Sequence, residues 1–115
     1  MNDAPRLTQA EIADRITILG LKARHGFDVE SEMARMQRHC IVPWDLVEPL
    51  RRANKECWDA MQGMIDHFEG RAVLPDLELI AVVRGGYFSN KERVRLKNVI
   101  SETVGEQQEL KSWER

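Results

Sequence analysis

Cys40 and Cys57 are the only cysteines in the 115 residues, too few for a disulfide framework in a chain whose opening carries no export signal. Both fit apolar positions of helical patterns, so they read as reduced, mostly buried thiols. Histidine is just as sparse. His25, His39 and His67 form no close pair of the kind that announces zinc, and adjacent His39 and Cys40 point about 100° apart on a helix. The chain also lacks a Glu-x-x-His pair and a Gly-rich phosphate cradle. Glu30 with Glu32, and Asp76 with Glu78, are two apart and diverge on a helix rather than converging on a substrate. A catalytic cysteine needs an activating base or cation, whereas Cys57 falls on an apolar stripe that quiets it. No continuous apolar run of signal or spanning length occurs in the first thirty residues. Charge of one sign is missing too: the net charge is -2 and the pI about 5.9, which offers nucleic acid or an anionic membrane no general attraction. The expectation is a cytoplasmic, non-enzymatic protein without metal or cofactor.

What is present is helical apolar pattern. Hydrophobic residues make up 43% and charged ones 31%, the balance of a globular chain. Over 45–69, at about 100° per residue, Leu46, Leu50, Ala53, Cys57, Ala60, Met61, Met64 and Phe68 fall in one stripe. Val47, Trp58 and Ile65 form a shoulder beside it, and the charged and amide residues from Glu48 to Glu69 take the other side. Stripe and shoulder span roughly 160°, where a surface helix facing one core needs about 100°. Something must cover the shoulder. A second helix of the same chain is the simpler expectation; another polypeptide is the alternative.

Earlier in the chain, Thr8 and Glu11 form a capping-box pattern. Ile12, Ile16, Leu19 and Ala23 then share one face, and Gly26 is a stop signal. Ile18 and Leu21 lie nearly opposite that face, a second hint of contacts on two sides. Asp28 is a candidate cap for a helix carrying Val29, Met33, Met36 and Cys40, which Pro43 ends. Asp45 is the candidate cap of the long helix, with Trp44 before it as a staple on Pro49. Gly63 falls inside that helix on its polar side, and Gly70 suits its end. In 74–84 the apolar residues point to nearly every side. The period leaves helix and strand open, with Pro75 near the start favouring a buried short helix. Gly85 and Gly86 read as a turn, and Ser89 with Glu92 as the cap of a last helix whose apolar face runs through Leu96, Val99, Ile100, Thr103 and Val104 to Gly105.

Arg84, Lys91, Arg93, Arg95 and Lys97 cluster around that turn. Helix, turn and basic helix over 77–104 outline a helix-turn-helix DNA reader, the alternative function, although these cations spread over several directions and the rest of the chain is acidic. The methionine pairs Met33/Met36 and Met61/Met64 suit core filling and also surfaces that repack around a partner.

The predicted architecture is all-α: a single domain over 1–115, about five helices around one long central helix. Residues 1–7 are expected to be flexible, and 106–115 to be a polar tail with Leu110 and Trp113 docking as one more turn. The predicted function is binding another protein through an apolar helical surface anchored by Ile18, Leu21, Val47, Trp58, Met61 and Ile65. A symmetric homodimer burying at least about 1,000 Å² is expected. In size, helix-only pattern and lack of a chemical site the chain resembles small bacterial antiactivators. That resemblance covers general form only, and implies a cytosolic regulator that sequesters a transcriptional activator by covering its working surface.

Overall fold

A computed structural model describes residues 6–106, which form four helices and no strand. The first, α1 (Gln9–Arg24), starts where expected: Thr8 Oγ1 accepts the Glu11 N–H at 3.1 Å. Its first N–H groups are held from the far end of the chain, Gln9 and Ala10 donating to the Glu106 carboxylate at 2.6 and 3.2 Å. A carboxylate there also complements the positive end of the helix dipole. The second, α2 (Glu30–His39), is preceded by Val29 with no side-chain cap, so Asp28 does not cap it. Pro43, not Asp45, precedes α3 (Trp44–Phe68), which takes Trp44 into its first turn and carries Pro49 in its interior.

The largest departure from expectation is α4 (Asp76–Val104), a single 29-residue helix where two were predicted. Neither Gly85 nor Gly86 has positive φ; that conformation belongs to Gly26, Gly70 and Gly105. Gly86 instead marks a close helix crossing: a Cβ built on it would stand 3.1 Å from the Ala60 Cβ of α3. Gly63, three residues further along α3, meets Val82 in the same way, at 3.3 Å. The helical cost of glycine, about 1 kcal/mol each, is offset by this approach of α3 and α4. Ser89 does not cap a new helix. Its hydroxyl donates back to the Gly85 carbonyl within the same one, a bond that competes with capping in any Ser-bearing pattern.

The central element is α1 rather than the long α3: α1 packs against all three other helices, while α2 touches only α1. On one side, Ile12 and Leu19 join Met36 in a small core that includes Ile16, Val29 and Met33. On the other, Ala10 and Ala13 meet Val47, Leu50, Ala53, Leu96 and Ile100. The two-sided pattern of α1 is therefore covered within the chain, by α2 on one face and by α3 and α4 on the other.

Candidate interaction surface

The lower halves of α3 and α4 belong to this three-helix core; the upper halves form an antiparallel hairpin that α1 does not reach. Positions seven apart lie within about 20° of each other on a helix, so they report on one line along its surface. On α3 that line is Val47, Asn54, Met61 and Phe68, exposed by 3%, 4%, 55% and 72%. On α4 it is Ser101, Val94, Tyr87 and Ile80, exposed by 3%, 3%, 56% and 60%. Both lines change from buried to open at the level where α1 stops. There the His25 ring stacks on Trp58, centroids 4.9 Å apart and planes 18° from parallel.

Just below this level lies a buried polar cluster. Asp14 receives both arms of Arg93, at 3.0 and 2.7 Å. The Asn54 amide donates to Asp14 Oδ1 at 2.8 Å and to Thr17 Oγ1 at 2.6 Å. A buried carboxylate with this many partners fixes how α1, α3 and α4 register, since any slip would strand a charge. Cys57 lies beside it, half-buried. Burial pushes its thiol pKa up, against the lowering influence of Arg93 and a hydrogen bond with Ser89. Such a thiol is a poor nucleophile near neutral pH.

Above it, the hairpin is held by a thin seam in which half-buried Ala60, Met64 and Val82 pack across the two helices, and by its polar rim. Gly70, at φ +77°, ends α3. The Gly70 N–H bonds the His67 carbonyl at 3.1 Å and the Arg71 N–H the Asp66 carbonyl at 2.9 Å, the paired bonds of a Schellman motif. Arg71 also bridges Asp66 and Glu69 at 3.1 and 2.7 Å, and these bonds raise its pKa. His67 Nδ1 accepts the Leu74 N–H at 2.9 Å. Other apolar side chains face outward: Val73 is 70% exposed, Leu77 82%, Val83 46% and Phe88 52%. Arg84 lies over the Phe88 ring at 5.5 Å and Lys91 over Tyr87 at 5.8 Å, so both cations flank the aromatic rings.

The six residues expected to bind a partner separate accordingly. Leu21 and Val47, 5% and 3% exposed, are buried in the chain's own core and are not surface anchors. Ile18 is half-buried on the edge of α1, and Trp58 is half-buried under His25. Met61 and Ile65, 55% and 38% exposed, stand on the open hairpin. Sequence reasoning missed Leu77, Ile80 and Val83 because the all-round apolar pattern of 74–84 reads as a buried segment, and Val73, Tyr87 and Phe88 because they fall between the elements the pattern predicts. The signal that could have found them was the length mismatch, 16 residues in α1 against 25 and 29 in α3 and α4.

The helix-turn-helix outline expected over 77–104 is not present. The expected turn is continuous helix, Arg93 is committed to Asp14, and Lys97 is buried. Arg95 grips Glu92 at 2.8 and 2.5 Å, a hydrogen bond that holds the Glu92 carboxyl below its ordinary pKa. Among the described residues no group of three or more His, Cys, Asp or Glu is placed to hold a metal, and no helix is long and apolar enough to cross a membrane. A cleft of about 190 Å³ lies between α1, α2 and the start of α3, and wider grooves of about 390 and 440 Å³ lie beside Asp14 and Arg93 and along the outer side of α4. Leu110 and Trp113 lie outside the described residues. No protein-family model matches the chain, and neither a curated protein nor a solved structure is significantly similar to it.

Proposed function

We propose that this chain is a non-enzymatic binding protein whose working surface is the upper α3–α4 hairpin. Its general form further supports a regulator of the antiactivator kind, one that sequesters a transcriptional activator by laying this apolar surface over it. The observation that carries the reading is the simultaneous opening of two heptad lines, from 4% at Asn54 to 55% at Met61 and from 3% at Val94 to 56% at Tyr87. Large apolar side chains held rigidly in water are what a helix-groove interface uses as anchors. The flanking charges, Arg84 and Lys91 on α4 and Asp59 and Asp66 on α3, would supply register and encounter rate at the rim.

The test is a double variant, Phe68→Glu with Ile80→Glu, at two exposed sites where folding does not depend on the side chain. Helical circular dichroism should be unchanged, while capture of the partner from native lysate and repression of its target promoter are lost. Capture and repression at wild-type level by the folded variant would sink the proposal.

A further inference from the structure

The structure also bears on what seats on this surface first. Resting on the reading of the hairpin as a working surface, we infer that its open face closes on a second copy of the same chain. Two hairpins would pack face to face, antiparallel, as a four-helix bundle, with the body of each copy at opposite ends.

Shape argues for a second pair of helices. The contacts of Gly86 with Ala60 and of Val82 with Gly63 bring α3 and α4 close together, so their open side is a shallow two-helix layer. Its residues, Met61, Ile65 and Phe68 with Ile80, Val83 and Tyr87, recur at spacings of three, four and seven. That is half of a bundle core, and an equal half completes it.

Area argues for a dimer of ordinary stability. At about 200 Å² for a fully exposed large apolar residue, the exposed fractions of those six side chains leave roughly 650 Å² open. Val73 and Leu77 at the hairpin's end, 70% and 82% exposed, carry the total past the roughly 800 Å² that each partner contributes to a standard interface. The six face residues are themselves uncharged; the nearest charge, Arg84, stands at the edge of the groove that Ile80, Val83 and Tyr87 line, which leaves the centre of the two-fold contact apolar.

Orientation follows from sterics. In each copy α1 fills the slot beside α3 and α4 below Trp58, so two copies with bodies on the same side would collide. With bodies at opposite ends, the end of each hairpin meets the partner's Trp58 and exposed Phe27. The two-fold axis then passes near Ile65 and Val83, midway along the two open lines. The tail of this sequence is too short to cover the hairpin's end. The nine after Glu106 span at most about 30 Å, while Leu77 lies about 40 Å along α4 from Val104.

Sedimentation and light scattering of the full chain across a range of concentrations test this. The expected particle has twice the 13.3 kDa of one chain. Ile65→Glu and Val83→Glu should each yield a monomer with undiminished helicity. Ile65→Cys, placed at the axis, should cross-link to its own copy under mild oxidation, with the wild-type thiols Cys40 and Cys57 as the control that does not. A wild-type chain that stays monomeric at several hundred micromolar overturns the inference, as does a dimer that survives both glutamate variants. A dimer that dissociates in those variants yet never cross-links at position 65 overturns the antiparallel arrangement. If the chain is monomeric but the Phe68→Glu, Ile80→Glu variant still loses its partner, the self-pairing fails and the functional reading stands.

Discussion

Val47 and Asn54 are buried, while Met61 and Phe68 lie one and two heptads further along the same line of the same helix and are open to solvent. Nothing in the local sequence explains the difference, because the open half is, if anything, the more apolar one. The difference is tertiary: α1 lies against the lower half and ends at Arg24. Below that level the helix pair is part of a core. Above it, helical structure is sustained by the α3–α4 crossing and a fastened turn, and apolar surface stays in water. Burial of that surface in an assembly would gain about 25 cal/mol per Å² before the cost of association is subtracted.

The same truncation made in both halves breaks or sharpens the contrast most directly. Leu50 is 0% exposed, and Leu50→Ala is expected to cost about 3–5 kcal/mol in chemical denaturation, the upper part of the range for a buried leucine. Phe68→Ala, in protein dilute enough to be a single copy, should cost under about 0.5 kcal/mol. Comparable losses at the two sites would mean that the hairpin is covered by its own chain after all.

Removing the polar cluster comes next. Arg93→Ala leaves the Asp14 carboxylate, whose side chain is 9% exposed, without its main counter-charge. The expected loss is about 2–3 kcal/mol, with hydrogen exchange accelerating in α1 and the lower half of α4 more than at the hairpin's end. A uniform increase along α4 would show that body and hairpin open as one unit, and the division between them would fall.

These two sites also mark how far the sequence could be read. The helical class, the Thr8 cap, the stop at Gly70 and the two-faced character of α1 were legible because each depends on residues a few positions apart. The cover over Leu21 and Val47 was not, because it is supplied by helices distant in the chain. Asn54 carries no local sign of its role, since its partners are 37 and 40 residues away. The Gly85–Gly86 pair was misread for the same reason. Two glycines followed by Ser-x-x-Glu fit a turn and a cap equally well, and only Ala60 at 3.1 Å explains a helix running through them.

That reading gives a finer comparison within one dipeptide. Gly85 has nothing within 4 Å of an added Cβ, so Gly85→Ala should stabilise the protein by about 0.5–1 kcal/mol through helix propensity alone. Gly86→Ala gains the same propensity but must push α3 and α4 apart, and a net loss of about 1 kcal/mol is expected. Thermal melts of the two variants shifting in opposite directions would confirm the crossing; equal upward shifts would remove it.

The smallest effect sits on the boundary between the two regions, at Cys57. Burial raises its pKa in the folded chain, so its neutral form is favoured there. Any stability it contributes is complete below the thiol's unfolded pKa and is lost as pH rises through the folded one. The unfolded chain ionises first, so a shallow decline of stability should begin in the alkaline range and be absent in Cys57→Ser. At neutral pH, iodoacetamide should label Cys57 more slowly in the native protein than in the urea-unfolded chain. Faster native labelling would place an activated thiol beside Arg93 and Ser89 and turn attention from the apolar hairpin to chemistry at the level where α1 ends.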